Sequence, residues 1–183
     1  MLPFIYINVE NQQLISDKLY NFVISKTNII QNCYSWNNLD LNDLKKYVPE
    51  LFLELEKSIG SAIDVAAVVC RCPYNGGEPH VDYNKAVRVL FPIKNCAGSY
   101  TRFYDLNGNS MILKTGTKGN KWYEYSKEFP LIETYSAELI KPIIFDSGVM
   151  HGVVVNPDCS EHRLTLTVKF KKDIRSHLYK DQN

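Results

Sequence analysis

His80 and Asp82 stand two positions apart, and His151 and then Arg163 follow much later in the chain. On a strand, alternate residues face one way, so His80 and Asp82 reach into one cavity while Val81 packs behind them. A second strand bringing up His151 adds a third donor. Neutral imidazole twice with one ionised carboxylate partly compensates a 2+ metal and covers one face of it. The opposite positions stay open, an arrangement associated with oxygen-activating, non-haem Fe(II). The His-x-Asp pair is too short to carry this alone, but its setting agrees. Glu78-Pro79 punctuates the approach to it, residues 86–93 follow as a strand, and His151 lies between two further strand-like runs.

Residues 163–170 alternate polar and apolar, so Arg163, Thr165, Thr167 and Lys169 share one side and Leu164, Leu166, Val168 and Phe170 the other. The planar fork of Arg163 can clamp a carboxylate by two contacts, with the Thr165 hydroxyl adding a third. The same alternation also fits a strand whose polar side faces solvent. His162 would point away from Arg163, and His177 sits in a charged tail, so both read as surface residues.

These side chains need a scaffold. Residues 12–25 place Leu14, Ile15, Leu19, Phe22 and Val23 at spacings near three and four, the mark of an amphipathic helix. Residues 41–59 repeat the stripe with Leu44, Val48, Leu51, Phe52, Leu55 and Ile59, Gly60 ends it, and Pro49 kinks or divides it. From Ala62 onward short strand-like runs separated by turn residues take over, at 63–72, 86–93, 100–106, 110–114, 132–139, 143–145, 152–155 and 163–170. Helices followed by eight short strands predict a mainly β protein with flanking helices, a double-stranded β-helix or jelly-roll barrel. The polar stretch 107–130 carries Trp122, Tyr123 and Tyr125, and reads either as a substrate-covering lid or as a surface flap packing its own aromatics.

A chain of 183 residues, 45% hydrophobic and 22% charged, has the composition of one soluble globular domain. The formal charge of +1 offers no broad attraction to nucleic acid or anionic membrane. The chain start lacks the pattern of a secretory signal, and no run approaches bilayer length, which gives an expected cytoplasmic address and no membrane partner. Five cysteines (Cys33, Cys70, Cys72, Cys96 and Cys159) show no zinc-site spacing and read as reduced thiols.

Taken with Phe145-Asp-Ser-Gly-Val-Met-His151 and with Arg163-Leu-Thr165 twelve positions beyond that histidine, the chain resembles the 2-oxoglutarate- and Fe(II)-dependent dioxygenase superfamily over residues 62–170. The resemblance implies one oxygenase domain over 1–183: a helical support region at 1–60, the barrel at 61–171 and a charged tail at 172–183. It implies that His80, Asp82 and His151 hold Fe(II), that Arg163 binds the distal carboxylate of 2-oxoglutarate, and that Thr165 assists. O2 and 2-oxoglutarate would be consumed, succinate and CO2 released, and a substrate hydroxylated. Related halogenases lack the carboxylate ligand, so Asp82 favours hydroxylation. Arg71 is a further co-substrate-binding candidate, open equally to contact with an acidic substrate or to a structural ion pair. Asn95, Tyr100 and Arg102 are lesser pocket candidates. The expected substrate is a small metabolite or free amino acid, with protein and nucleic acid substrates left open. Two other readings stand beside this one: a cupin-like metal enzyme that does not use 2-oxoglutarate, and a noncatalytic β-sandwich binding module.

Overall fold

The computed structural model describes residues 2–26, 34–73, 76–117 and 119–179. Helix α1 (Gln12–Ser25) buries Ile15, Leu19, Phe22 and Val23, while Leu14 at the margin of the stripe is exposed. The Asp40 carboxylate caps α2 (Leu41–Tyr47), accepting from the backbone N–H of Asn42 and Asp43. Pro49 divides this helix from α3 (Pro49–Ile59), standing in the first turn where its missing N–H leaves no bond unmade. Gly60 ends α3 in the left-handed region, at φ 69°. A short α4 (Arg175–Tyr179) docks the charged tail, with Arg175 paired to Asp146.

Twelve strands are present among the described residues, four more than the sequence pattern marked out. In chain order they are β1 (Phe4–Tyr6), β2 (Tyr34–Asn38), β3 (Ile63–Arg71), β4 (Gly77–Asp82), β5 (Val87–Lys94) and β6 (Tyr100–Asp105), then β7 (Met111–Thr115), β8 (Lys121–Tyr125), β9 (Ile132–Glu138), β10 (Ile143–Asp146), β11 (His151–Val154) and β12 (Arg163–Phe170). They form two six-stranded antiparallel sheets, ordered β1-β10-β5-β12-β3-β2 and β7-β8-β4-β11-β6-β9. This is the double-stranded β-helix. The first sixty residues are not purely helical, because β1 and β2 form the two edges of the first sheet.

Two apolar layers divide the molecule. Ala66, Val68 and Cys70 of β3, alternate residues of β5, and Leu164, Leu166, Val168 and Phe170 of β12 share one core with α1, α2 and α3. On the other side of the same sheet, Leu90, Ile143 and Phe145 meet Phe103 and Ala137 of the second sheet. The polar side of β12 therefore points between the sheets, with Arg163, Thr165 and Thr167 all buried. A solvent-facing role for that side is excluded. Helices take up its apolar side instead.

Stretch 107–130 is an ordered hairpin of β7 and β8, which continues the second sheet from β4. Tyr123 stacks on Tyr83 at 6.0 Å, so the hairpin packs its aromatics beside the end of β4. Cys70, Cys96 and Cys159 are free, whereas Cys72 is disulfide-bonded, contrary to the expectation of reduced thiols throughout. Cys33 lies outside the described residues. His162 Nε2 stands 3.4 Å from Cys72 Sγ. His177 Nε2 bonds the Ile59 carbonyl, so neither histidine joins His80, Asp82 and His151. Among the described residues no helix is long and apolar enough to cross a membrane.

Candidate active site

Strands β4 and β11 are hydrogen-bonded neighbours in the second sheet, and His151 is the register partner of His80. The alternation along β4 turns Asp82 to the same side. Donor atoms of His80, Asp82 and His151 all lie within 4.8 Å of one another, with His80 Nε2 at 3.5 Å from Asp82 Oδ1. The turn leading into His151 is braced against β4: the Asp82 N–H donates to the Ser147 carbonyl at 3.0 Å, and the Ser147 hydroxyl to Ala86 O at 2.7 Å. Gly148 is needed there, since a Cβ would stand 2.9 Å from Asp146 Oδ1.

Each imidazole is fixed in one tautomer. His80 Nδ1 bonds the Glu78 carbonyl at 2.8 Å and His151 Nδ1 the Val149 carbonyl at 2.9 Å. A carbonyl oxygen only accepts, so both Nδ1 atoms carry the proton and both Nε2 lone pairs are left for a metal. His151 is buried among Phe145, at 5.4 Å edge-on, and Phe103. Burial, with the neighbouring His80, pulls its pKa down to about 4, so it is neutral near pH 7. Burial also opposes ionisation of Asp82, but in acid, where protonated imidazoles stand beside it, the His80 hydrogen bond and the charges of His151 and Arg88 outweigh burial and hold the carboxyl at about 2. His151 and Asp82 thus have the protonation states a divalent cation requires, and the donor types of the cluster fit such an ion.

Arg88 was not singled out from sequence. Its Nε lies 3.4 Å from Asp82 Oδ2, its Nη2 donates to Asn84 Oδ1, and its guanidinium stands 5.6 Å from the Trp36 ring. An arginine inside the otherwise apolar run 87–93 was the available signal. Trp122 is the register partner of Asp82 and donates its indole N–H to Glu124 Oε1 at 2.9 Å, which places β8 at the side of the cluster.

Arg163 is 1% exposed, and its Nε and Nη2 have no hydrogen-bond partner, nor has the buried Thr165 Oγ1. Burial lowers the Arg163 pKa from its usual value, although the guanidinium stays charged. Two orphaned N–H donors on one edge of a guanidinium, with a hydroxyl on the same face of β12, match one carboxylate bound side-on. Arg71 on β3 is the register partner of Arg163 and is likewise buried. Three lesser candidates lie elsewhere. Asn95 bonds Glu161 and the His162 carbonyl, while Tyr100 and Arg102 pair with Val154 and Gly152 on the other face of the second sheet, Arg102 held by Glu133.

Fold and site together define a double-stranded β-helix with a two-histidine, one-carboxylate metal cluster, in agreement with the resemblance read from the sequence. No protein-family model and no curated protein matches the chain. Among solved structures, AviO1 from Streptomyces viridochromogenes is similar at 9% identity and TM-score 0.50, over 91% of this chain and 88% of that one. A prolyl-4-hydroxylase from Pseudomonas putida is similar at 14% identity and TM-score 0.49, over 93% and 88%. The oxalate decarboxylase of Bacillus subtilis gives a TM-score of 0.37 at 14% identity, over 82% of this chain and 29% of that one. At these identities the likeness is one of fold.

Proposed function

We propose that the chain is an Fe(II)- and 2-oxoglutarate-dependent dioxygenase of the hydroxylating type, acting on a small metabolite or free amino acid. The observation that carries this reading is the convergence of His80, Asp82 and His151 with both Nδ1 atoms already engaged. When bound, iron with O2 and 2-oxoglutarate supplies the oxidising power, and succinate and CO2 leave as products. The protein supplies the rest. His80, Asp82 and His151 hold the metal by one face, and Arg88 keeps the second oxygen of Asp82 engaged.

Arg163 takes the distal carboxylate of the co-substrate through Nε and Nη2, with the Thr165 hydroxyl donating to the same group. Arg71 stands beside it as a further anion contact. Leu90, Phe103 and Phe145 give this interior an apolar wall that excludes water and strengthens those contacts. The test is anaerobic loading with Fe(II), then 2-oxoglutarate. The expected result is one iron per chain and a new absorption band from chelation by the keto acid. Iron binding without that band would overturn the use of 2-oxoglutarate, and succinate formed in step with a one-oxygen mass gain would identify the substrate.

A further inference from the structure

Strand β7 lies at one end of the second sheet, hydrogen-bonded to β8 and, among the described residues, to no other strand. All of its residues are exposed, and its large apolar ones follow one another: Met111 at 43%, Ile112 at 42% and Leu113 at 48%. Soluble proteins blunt such an apolar strand edge with charge or proline unless something pairs with it. The opposite edge of the same sheet is blunted in that way, since β9 carries Glu133, paired to Arg102, and ends in Glu138.

The ladder to β8 fixes which backbone groups of β7 point outward. The Gly116 N–H donates to the Asn120 carbonyl and the Ser126 N–H to the Ser110 carbonyl, in the same register that joins Ile112 to Glu124 and Lys114 to Trp122. Antiparallel bonding alternates along a strand. Ile112 and Lys114 therefore commit their N–H and C=O groups to β8, while Met111, Leu113 and Thr115 direct theirs away from it. That outward set is centred on Leu113. A two-fold axis through Leu113, perpendicular to the sheet, brings up a second copy antiparallel, with Leu113 opposite Leu113 and Met111 opposite Thr115. Every outward group of the three residues then finds a partner. On the other face, Lys114 comes to stand opposite Ile112 of the second copy, on the rung that continues to Glu124 of that copy. Two strand spacings, about 10 Å between backbones, are within reach of these long side chains, so each ammonium meets a carboxylate. Phe129, exposed and held near the start of β7 by its N–H to Asn109 Oδ1, widens the apolar patch. A formal charge of +1 sets up little repulsion between copies.

From this geometry we infer that β7 is a self-association edge: two copies of the chain pair β7 to β7, antiparallel about Leu113. The joined sheet runs from one metal cluster to the other through β8 and β4 of each copy. One short strand and the side chains around it make a small contact, so the dimer is of micromolar strength and not obligate. The pairing needs neither metal nor co-substrate.

Sedimentation equilibrium of the metal-free chain from about 1 to about 300 µM should show a monomer–dimer equilibrium. Leu113→Lys sets two ammoniums opposite each other across the axis and should raise the dimer Kd about tenfold or more, with an unchanged circular-dichroism spectrum. Leu113→Cys gives the positive test. Opposed, bonded residues have Cα atoms about 5.5 Å apart, inside disulfide range, so oxidised glutathione, itself reduced in the exchange, should convert this variant to a covalent dimer. Ile112→Cys would face Lys114 of the second copy and should cross-link no faster than the wild type, whose free Cys159 is half-buried. A wild-type chain that stays monomeric across the range would overturn the inference, as would a dimer indifferent to Leu113→Lys, which would put the contact on another face. Equal cross-linking of the two cysteine variants would overturn it too, because the register about Leu113 would then be wrong.

Discussion

Two groups of buried or half-buried side chains between the sheets, a metal end and an anion end, are differently prepared. At the metal end, His80 and His151 each commit Nδ1 to a backbone carbonyl, and Asp82 is paired with Arg88. At the anion end, Arg163 and Thr165 keep buried polar atoms with no hydrogen-bond partner. Protein contacts hold the first geometry before any ion arrives. The second end carries the desolvation cost of orphaned donors, which a ligand relieves. Losing a side chain should therefore do opposite things to the empty protein at the two ends.

The sharpest break comes from Asp82→Ala, which removes the only charged donor of the cluster. Iron affinity should fall by more than ~100-fold, beyond what outer partners of a metal site are worth. Metal content after gel filtration, measured beside an intact circular-dichroism spectrum, checks it. Retention of stoichiometric iron would place the metal elsewhere.

Acid should act next most strongly, and at the metal end alone. His151 has a folded pKa of about 4 against 6.5 in the unfolded chain, so the unfolded state takes up the proton first. Stability of the metal-free protein should fall as pH drops from about 6.5 to about 4, by ~3 kcal/mol at most. The lowered carboxyl of Asp82 extends the loss from 3.8 to about 2. Urea midpoints across pH would show this slope, and His151→Phe should flatten its upper part. An unchanged slope in that variant would remove His151 as its source.

Arg163→Ala should separate the two ends cleanly. The 2-oxoglutarate Kd should rise roughly 30-fold or more, from about 2–5 kcal/mol of lost charge-assisted contact, while iron content is unchanged. The empty protein should be no less stable for losing a buried, unpartnered guanidinium edge. A large fall in the urea midpoint would show instead that Arg163 is a structural member of the core.

The metal end was largely legible in the sequence, because period-two spacing on a strand converts directly into a shared face, as with His80 and Asp82. The alternation of β12 was legible too, but not which side faced inward. A polar strand face usually means solvent, and only the helix layer over Leu164, Leu166 and Val168 turns Arg163 and Thr165 inside. Strands β1 and β2 escaped notice because one has three residues and the other reads Tyr-Ser-Trp-Asn-Asn, both completed by neighbours distant in sequence. Arg88 showed only as one charge inside the apolar run 87–93, with nothing in the sequence to mark its partner. Its meaning depends on Asp82, which only the packing of one sheet against the other brings to it.

Thr165→Val is the finest probe of the contrast between the ends. It replaces a buried hydroxyl that has no partner in the empty protein with a methyl of similar size, so stability should hold or rise by up to about 1 kcal/mol. Binding of 2-oxoglutarate should weaken only several-fold, since a neutral hydroxyl contributes about 1 kcal/mol where Arg163 contributes more. Urea midpoints and the 2-oxoglutarate titration, run on this variant beside the wild type, decide it. A 2-oxoglutarate Kd that does not move would take the Thr165 hydroxyl out of the anion contact.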